Sequence, residues 1–155
     1  MTYPDGETRY DGDWVEFKRQ GEGVLTGPGG EYYDGQWRDD NRHGKGTGCS
    51  KKGEEYDGDW SCDKYHGVGL QTYVNGDTYE GQWKLGKRYG TGVLTVAGPA
   101  GYRYEGQWEF GMANGEGIWC GNSGQTYSGS WKHNVRSGIA TITWKNGDEY
   151  KGEVE

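Results

Sequence analysis

The stretch Tyr79-Glu-Gly-Gln-Trp-Lys-Leu-Gly-Lys-Arg-Tyr-Gly-Thr-Gly92 decides how this chain folds, because the chain keeps repeating it. Its opening Tyr-x-Gly-x-Trp occurs at Tyr10–Trp14, Tyr33–Trp37, Tyr56–Trp60, Tyr79–Trp83, Tyr104–Trp108 and Tyr127–Trp131, and Tyr150-Lys-Gly152 begins a seventh copy. The steps between the tyrosines are 23, 23, 23, 25, 23 and 23 residues. A period this regular means that one small unit is stacked, with no single central core. Residues 1–155 are therefore read as one array, with six full repeats starting at those tyrosines and partial repeats at both ends.

Eleven and thirteen residues after each Tyr comes a second signature: Gly21/Gly23, Gly44/Gly46, Gly67/Gly69, Gly90/Gly92 and Gly115/Gly117, with a degenerate copy at Gly138-Ile-Ala140. A polar segment separates the two signatures, and a short β-prone run follows the second. Asn75-Gly-Asp77 and Asn146-Gly-Asp148 then read as hairpin turns, since both central residues accept positive φ. Helix is excluded: 32 glycines would each cost ~1 kcal/mol in a helix interior. Each unit is read as two strands, and consecutive units as one long antiparallel sheet. Alternation puts Tyr, Gly and Trp on one strand face, where the bare glycine lets a ring lie on the backbone.

Composition agrees. Only 30% of residues are hydrophobic, yet there are 13 Tyr and 8 Trp, so rings serve as the buried material. No stretch approaches the ~18 apolar residues of a membrane span, and no apolar signal segment follows Met1. Cys49, Cys62 and Cys120 show no metal or redox spacing. Strand spacing puts Cys49 and Cys120 about 30 Å apart, so reduced thiols and a cytoplasmic location are expected.

The repeat resembles the MORN (membrane occupation and recognition nexus) family, whose unit reads approximately Tyr-Glu-Gly-x-Trp-x-x-Gly-x-x-x-Gly-x-Gly followed by a strand and Asn-Gly-Asp. The resemblance covers Tyr10 to Gly152, and the fourth unit matches it throughout. It implies an elongated, twisted, single-layer antiparallel sheet of hairpins. The chain departs from it at the two-residue insertion around Ala97–Gly101, at Ala140, and at Ser128 and Ser130. Thr2–Thr8 reads as the tail of an earlier unit and Tyr150–Glu155 as the start of an unfinished one, so a longer array or end-to-end self-association is expected.

No catalytic constellation emerges, and the chain is read as non-enzymatic, with no cofactor and no metal. His43, His66 and His133 all fall in the polar segments without a repeating third ligand type, and surface histidine is the simpler account. The Gly-x-Gly pairs lack the helix and Lys-Ser/Thr of a phosphate loop. Asp11/Asp13 and Asp57/Asp59 place two carboxylates on one strand face, either a weak cation site or a solvated acidic face.

Charge is distributed unevenly. Residues five to ten after each Tyr hold ten basic and five acidic side chains, net +5, leaving −12 for the rest of a chain of net charge −7. In-register stacking would line up Arg38, Arg42, His43, Lys64, His66, Lys84, Lys87, Arg88, Lys132 and Arg136 as a basic edge for anionic lipid or an acidic partner. The row Tyr10, Trp14, Tyr33, Trp37, Tyr56, Trp60, Tyr79, Trp83, Tyr104, Trp108, Tyr127 and Trp131 is either the packing of the sheet or an aromatic groove for a partner helix or extended peptide. Phe17, Tyr65, Tyr89 and Phe110 are further contact candidates.

Two functions follow as expectations. One is a non-catalytic scaffold, a strip roughly 60 Å long at ~4.8 Å per strand, that docks a protein or self-associates. The resemblance implies a cytoskeletal, ciliary or membrane-adjacent setting for it. The alternative is a peripheral module reading phosphoinositide headgroups through the basic edge. The net negative charge speaks against nucleic acid.

Overall fold

The computed structural model describes residues 7–154. Most of the Thr2–Thr8 segment and the last residue of the C-terminal partial repeat lie outside the described residues.

Alternating rings, glycines and polar residues make strands, and strands are the only regular elements among the described residues. All thirteen lie in the sheet in chain order, giving the expected all-β, antiparallel sheet of hairpin repeats. The chain divides into two compact units, Met1–Val74 with Trp83–Gly86, and Asn75–Gln82 with Lys87–Glu155.

The first unit carries β1 (Arg9–Val15), β2 (Lys18–Thr26), β3 (Tyr32–Arg38), β4 (Asn41–Cys49), β5 (Glu55–Ser61) and β6 (Lys64–Thr72). The second carries residues 78–82 of β7 (Thr78–Lys84), then β8 (Lys87–Val96), β9 (Tyr102–Glu109), β10 (Met112–Gly121), β11 (Thr126–Lys132), β12 (Val135–Thr143) and β13 (Glu149–Val154).

The tight turns are not where Asn-Gly pointed. Two residues join the strands within each repeat: Glu16-Phe17, Asp39-Asp40, Cys62-Asp63, Leu85-Gly86, Phe110-Gly111 and His133-Asn134. All twelve have positive φ, the signature of the two-residue turn that matches strand twist. Most lack the Asn-Gly chemistry, so sequence did not mark them. Asn75-Gly-Asp77 and Asn146-Gly-Asp148 instead lie in the five-residue loops between repeats, where Asn75 Oδ1 accepts from the Asp77 N–H (3.1 Å). The polar segment is consequently only a two-residue turn followed by strand.

A bulge lies opposite the residue between the Gly and the Trp of the repeat, as in the first, second and fifth repeats, and the Tyr holds it. Tyr33 Oη donates to the Gln36 carbonyl (2.9 Å) and to that of His43 (3.3 Å). Tyr56 repeats this with Asp59 and His66. The fourth residue of the repeat closes the other side of the bulge. Gln36 accepts from the Lys45 N–H, Asp59 from Val68, and Gln107 from Glu116.

Glycine is required where the ring lands: a Cβ on Gly46 would clash with the phenol end of Tyr33. Burial of one such ring removes about 150–250 Å² from water, on the order of 4–6 kcal/mol gross. That exceeds the ~1 kcal/mol of an edge-to-face contact, so burial, not ring geometry, carries the stability. At the degenerate copy Ala140 is buried beside Gly129, and Tyr127 still reaches the Ser130 carbonyl at 2.7 Å.

Candidate functional site

Trp37, Trp60 and Trp131 each join their own repeat to the preceding one. Trp37 packs edge-on against Tyr10 (5.4 Å) as well as Tyr33 (5.0 Å), and its Nε1 donates to the Gly23 carbonyl (2.9 Å). Trp60 does the same with Tyr33, Tyr56 and Gly46, and Trp131 with Tyr104, Tyr127 and Gly117.

Over these rings lies the tenth residue of the repeat, paired across the hairpin with the Trp, as in Trp37↔Arg42 and Trp131↔Arg136. Arg19 lies 4.1 Å from the Trp37 ring, and Arg42 lies 4.4 Å from that of Trp60. Both are held by the eighth residue of the following repeat. Asp40 Oδ1 accepts from the Arg19 backbone N–H (2.9 Å) and from its Nε (3.1 Å), and Asp63 does likewise for Arg42. The Arg19 backbone bond keeps the Asp40 carboxyl below the usual Asp range, outweighing partial burial. In the third repeat a ring takes the guanidinium's place: Tyr65 stacks on Tyr56 at 3.7 Å and 7°.

The ring face opens into a groove in each unit. In the first it encloses about 490 Å³ between Arg19, Arg42, Leu25, Trp37, Asp40 and Asp63. In the second it encloses about 790 Å³ between Arg88, Leu94, Trp108, Ala113, Trp131 and Arg136.

The expected aromatic row is mostly under this surface. Tyr10, Tyr33, Tyr56, Tyr79, Tyr104 and Tyr127 are at most 2% exposed, and Trp37, Trp60, Trp83 and Trp108 are 4–6% exposed. Among the twelve, Trp14 is exposed and Trp131 half-buried. Burial pushes the phenols of Tyr33, Tyr56 and Tyr127 up, and that of Tyr104 up to about 12. Tyr65 belongs to this packing, whereas Phe17 is 98% exposed and Phe110 is exposed, both in the tight turns.

The expected basic edge is divided between two faces, because its residues lie in strands and alternate. Arg42, Arg88 and Arg136 lie over rings. Arg38 and Lys64, like Lys132, adjoin the tight turns on the opposite face. Lys84 and Lys87 hold the equivalent sixth and ninth places of the fourth repeat. His43 and His66 accept the tyrosine hydroxyls at their carbonyls.

The opposite face of the first unit carries Asp11, Asp34 and Asp57, paired in turn with Val24, Thr47 and Leu70. Asp11 pairs with Arg9, Asp13 accepts from the Glu22 N–H, and Asp59 from Lys45 (2.7 Å) and the Val68 N–H. Asp13 and Asp59 are thus bound into the fold. Burial pushes the Asp59 carboxyl up, but Lys45 and the Val68 N–H hold it below its ordinary value.

Sequence reasoning missed Ala113, Asn134 and Trp119. The signal was available: aligned on the tyrosines, the tenth residues read Arg19, Arg42, Tyr65, Arg88, Ala113 and Arg136, and only Ala113 lacks a planar group. Comparison with curated proteins finds no match. The MORN repeat family model matches residues 10–32, 33–47, 56–78, 79–95, 104–126 and 127–149, six copies over most of the chain. The tyrosine–glycine–tryptophan frame and those six matches together place the chain in the MORN repeat family.

Proposed function

We propose that this chain is a non-catalytic scaffold that docks a partner protein on its ring face. One observation supports the reading above others: each unit has a groove lined by tryptophan, tyrosine and arginine, with Asp40 and Asp63 beside the arginines in the first. Aromatic and arginine side chains are the residues that anchor protein interfaces. Grooves of this size accept side chains of a segment laid along them. A cytoskeletal, ciliary or membrane-adjacent setting accords with the family.

Phosphoinositide binding through a basic edge has less support, since its arginines cover rings and Arg42 is paired with Asp63 (2.9 Å). The opposite face adds carboxylates that repel an anionic surface.

Affinity capture with the purified chain, followed by titration of the captured protein, tests the proposal. Docking on the ring face predicts that Arg42→Glu weakens the partner at least tenfold, the size of one lost interface anchor, and that Leu70→Ser on the opposite face leaves it unchanged. The reverse pattern would move the docking surface to the opposite face. Salt-sensitive sedimentation with phosphoinositide vesicles, with no protein partner, would replace this reading by the lipid one.

A further inference from the structure

In five of the six repeats the tenth residue covers the rings with a planar group, either a guanidinium (Arg19, Arg42, Arg88, Arg136) or the phenol ring of Tyr65. Ala113 offers only a methyl group. Trp131, the ring next in line, is the consequence: it is half-buried where Trp37, Trp60, Trp83 and Trp108 are 4–6% exposed. The groove at this place, about 790 Å³, has Ala113, Tyr104 and Trp131 among its walls.

Resting on the docking reading above, we infer that the slot over Tyr104 and Trp131 at Ala113 receives an aromatic side chain carried on an acidic segment of the partner protein. The chain shows what the slot takes. A guanidinium sits closest, at 4.1 and 4.4 Å from the Trp ring, where the following repeat supplies Asp40 or Asp63 to hold it. At Ala113 the following repeat supplies Asn134, whose Oδ1 already accepts from the Ala113 N–H (2.7 Å). None of the described residues lining the groove is a carboxylate. An aromatic ring fills the same position in the third repeat, where the following eighth residue is Gly86.

The charge beside the slot selects the flanks. Arg136 lies 4.6 Å from the Trp119 ring, 4.8 Å from that of Tyr127 and 5.7 Å from that of Trp131, and makes no ion pair among the described residues. Arg88 lines the same groove. The Arg136 guanidinium beside the ring-lined slot favours carboxylates next to the entering ring.

The test uses the full chain with 15N-labelled tryptophan indoles and the probe peptide acetyl-Glu-Glu-Phe-Glu-Glu-amide at low salt. The Trp131 indole signal should shift and saturate. Replacing Phe by Ala in the peptide should weaken binding roughly tenfold, the scale of an aromatic contact. Ala113→Arg should abolish the shift while the fold persists, because arginine is the resident of four equivalent positions. Should A113R fail to fold by circular dichroism, Ala113→Tyr, patterned on Tyr65, replaces it with the same loss expected.

Equal affinity for the Ala peptide, undiminished binding by the filled variant, or no saturable binding at millimolar peptide would overturn the slot. So would concentration-dependent self-association that Ala113→Arg removes in the absence of peptide binding, since a second copy would then be the occupant. A partner protein retained equally by wild type and A113R overturns the slot and leaves docking intact. A chain that retains no partner and binds no peptide overturns both.

Discussion

The second and fifth repeats share one frame and differ in its cover. In the second, Arg42 lies 4.4 Å from the Trp60 ring, Asp63 fixes it, and Trp60 is 4% exposed. In the fifth, Ala113 and Asn134 stand in the corresponding places, and Trp131 is half-buried. Tyr, Gly and Trp are unchanged between them. The frame holds the chain together, and the tenth and eighth residues decide whether the ring face is closed or open.

The comparison breaks if the two frames are unequal. Tyr33→Ala and Tyr104→Ala should each cost about 3–5 kcal/mol, the usual loss for deleting a buried aromatic ring. Denaturant midpoints measure this, and a small cost at Tyr104 would mean that the ring under the slot is not structural.

Alkali should act in the same direction. The phenols of Tyr33, Tyr56, Tyr65 and Tyr127 are raised by burial, and that of Tyr104 reaches about 12. Folding therefore favours the neutral phenol. Its stabilisation is whole below about pH 10, the unfolded value, and is lost as pH rises towards the folded values. Denaturant midpoints should fall steeply above that pH, alongside the 295 nm phenolate signal. A flat midpoint up to pH 12 would contradict the burial of these hydroxyls.

The clasp is the next effect in size. Asp63→Ala should cost about 0.5–1.5 kcal/mol, the net worth of the hydrogen bonds it accepts from Arg42 at this exposed place. Asp63→Asn should cost less, because Asn134 already accepts from the Ala113 N–H at 2.7 Å. Equal costs would show that charge, not the backbone bond, does the holding.

Arg42→Ala should open a slot in the second repeat for about 1 kcal/mol or less, read as faster solvent exchange of the Trp60 indole. The acid limb is the smallest effect. Asp40 and Asp59 are held below the ordinary carboxyl value, so what they contribute is present above about pH 4 and lost as pH falls through their folded values.

The frame was legible in the sequence because it is periodic: Tyr, Gly and Trp at alternate positions have one physical reading, repeated six times. The tight turns were less legible. Glu16-Phe17 and Cys62-Asp63 adopt positive φ without the residues that announce it, the turn being imposed by the paired strands on either side. Misplacing the turns had a second effect. It treated strand residues such as Arg42 and Arg136 as connection, and so joined into one edge charges that alternate between two faces. The slot at Ala113 was the hardest to see, because it is the absence of a covering group, visible only against what the other repeats put there.

The most direct test is the Trp131 indole signal during titration with acetyl-Glu-Glu-Phe-Glu-Glu-amide, recorded for wild type and Ala113→Arg. A saturable shift of Trp131 in wild type and none in the variant is the predicted result. A Trp131 signal that stays still, or that moves equally in both, would contradict the account.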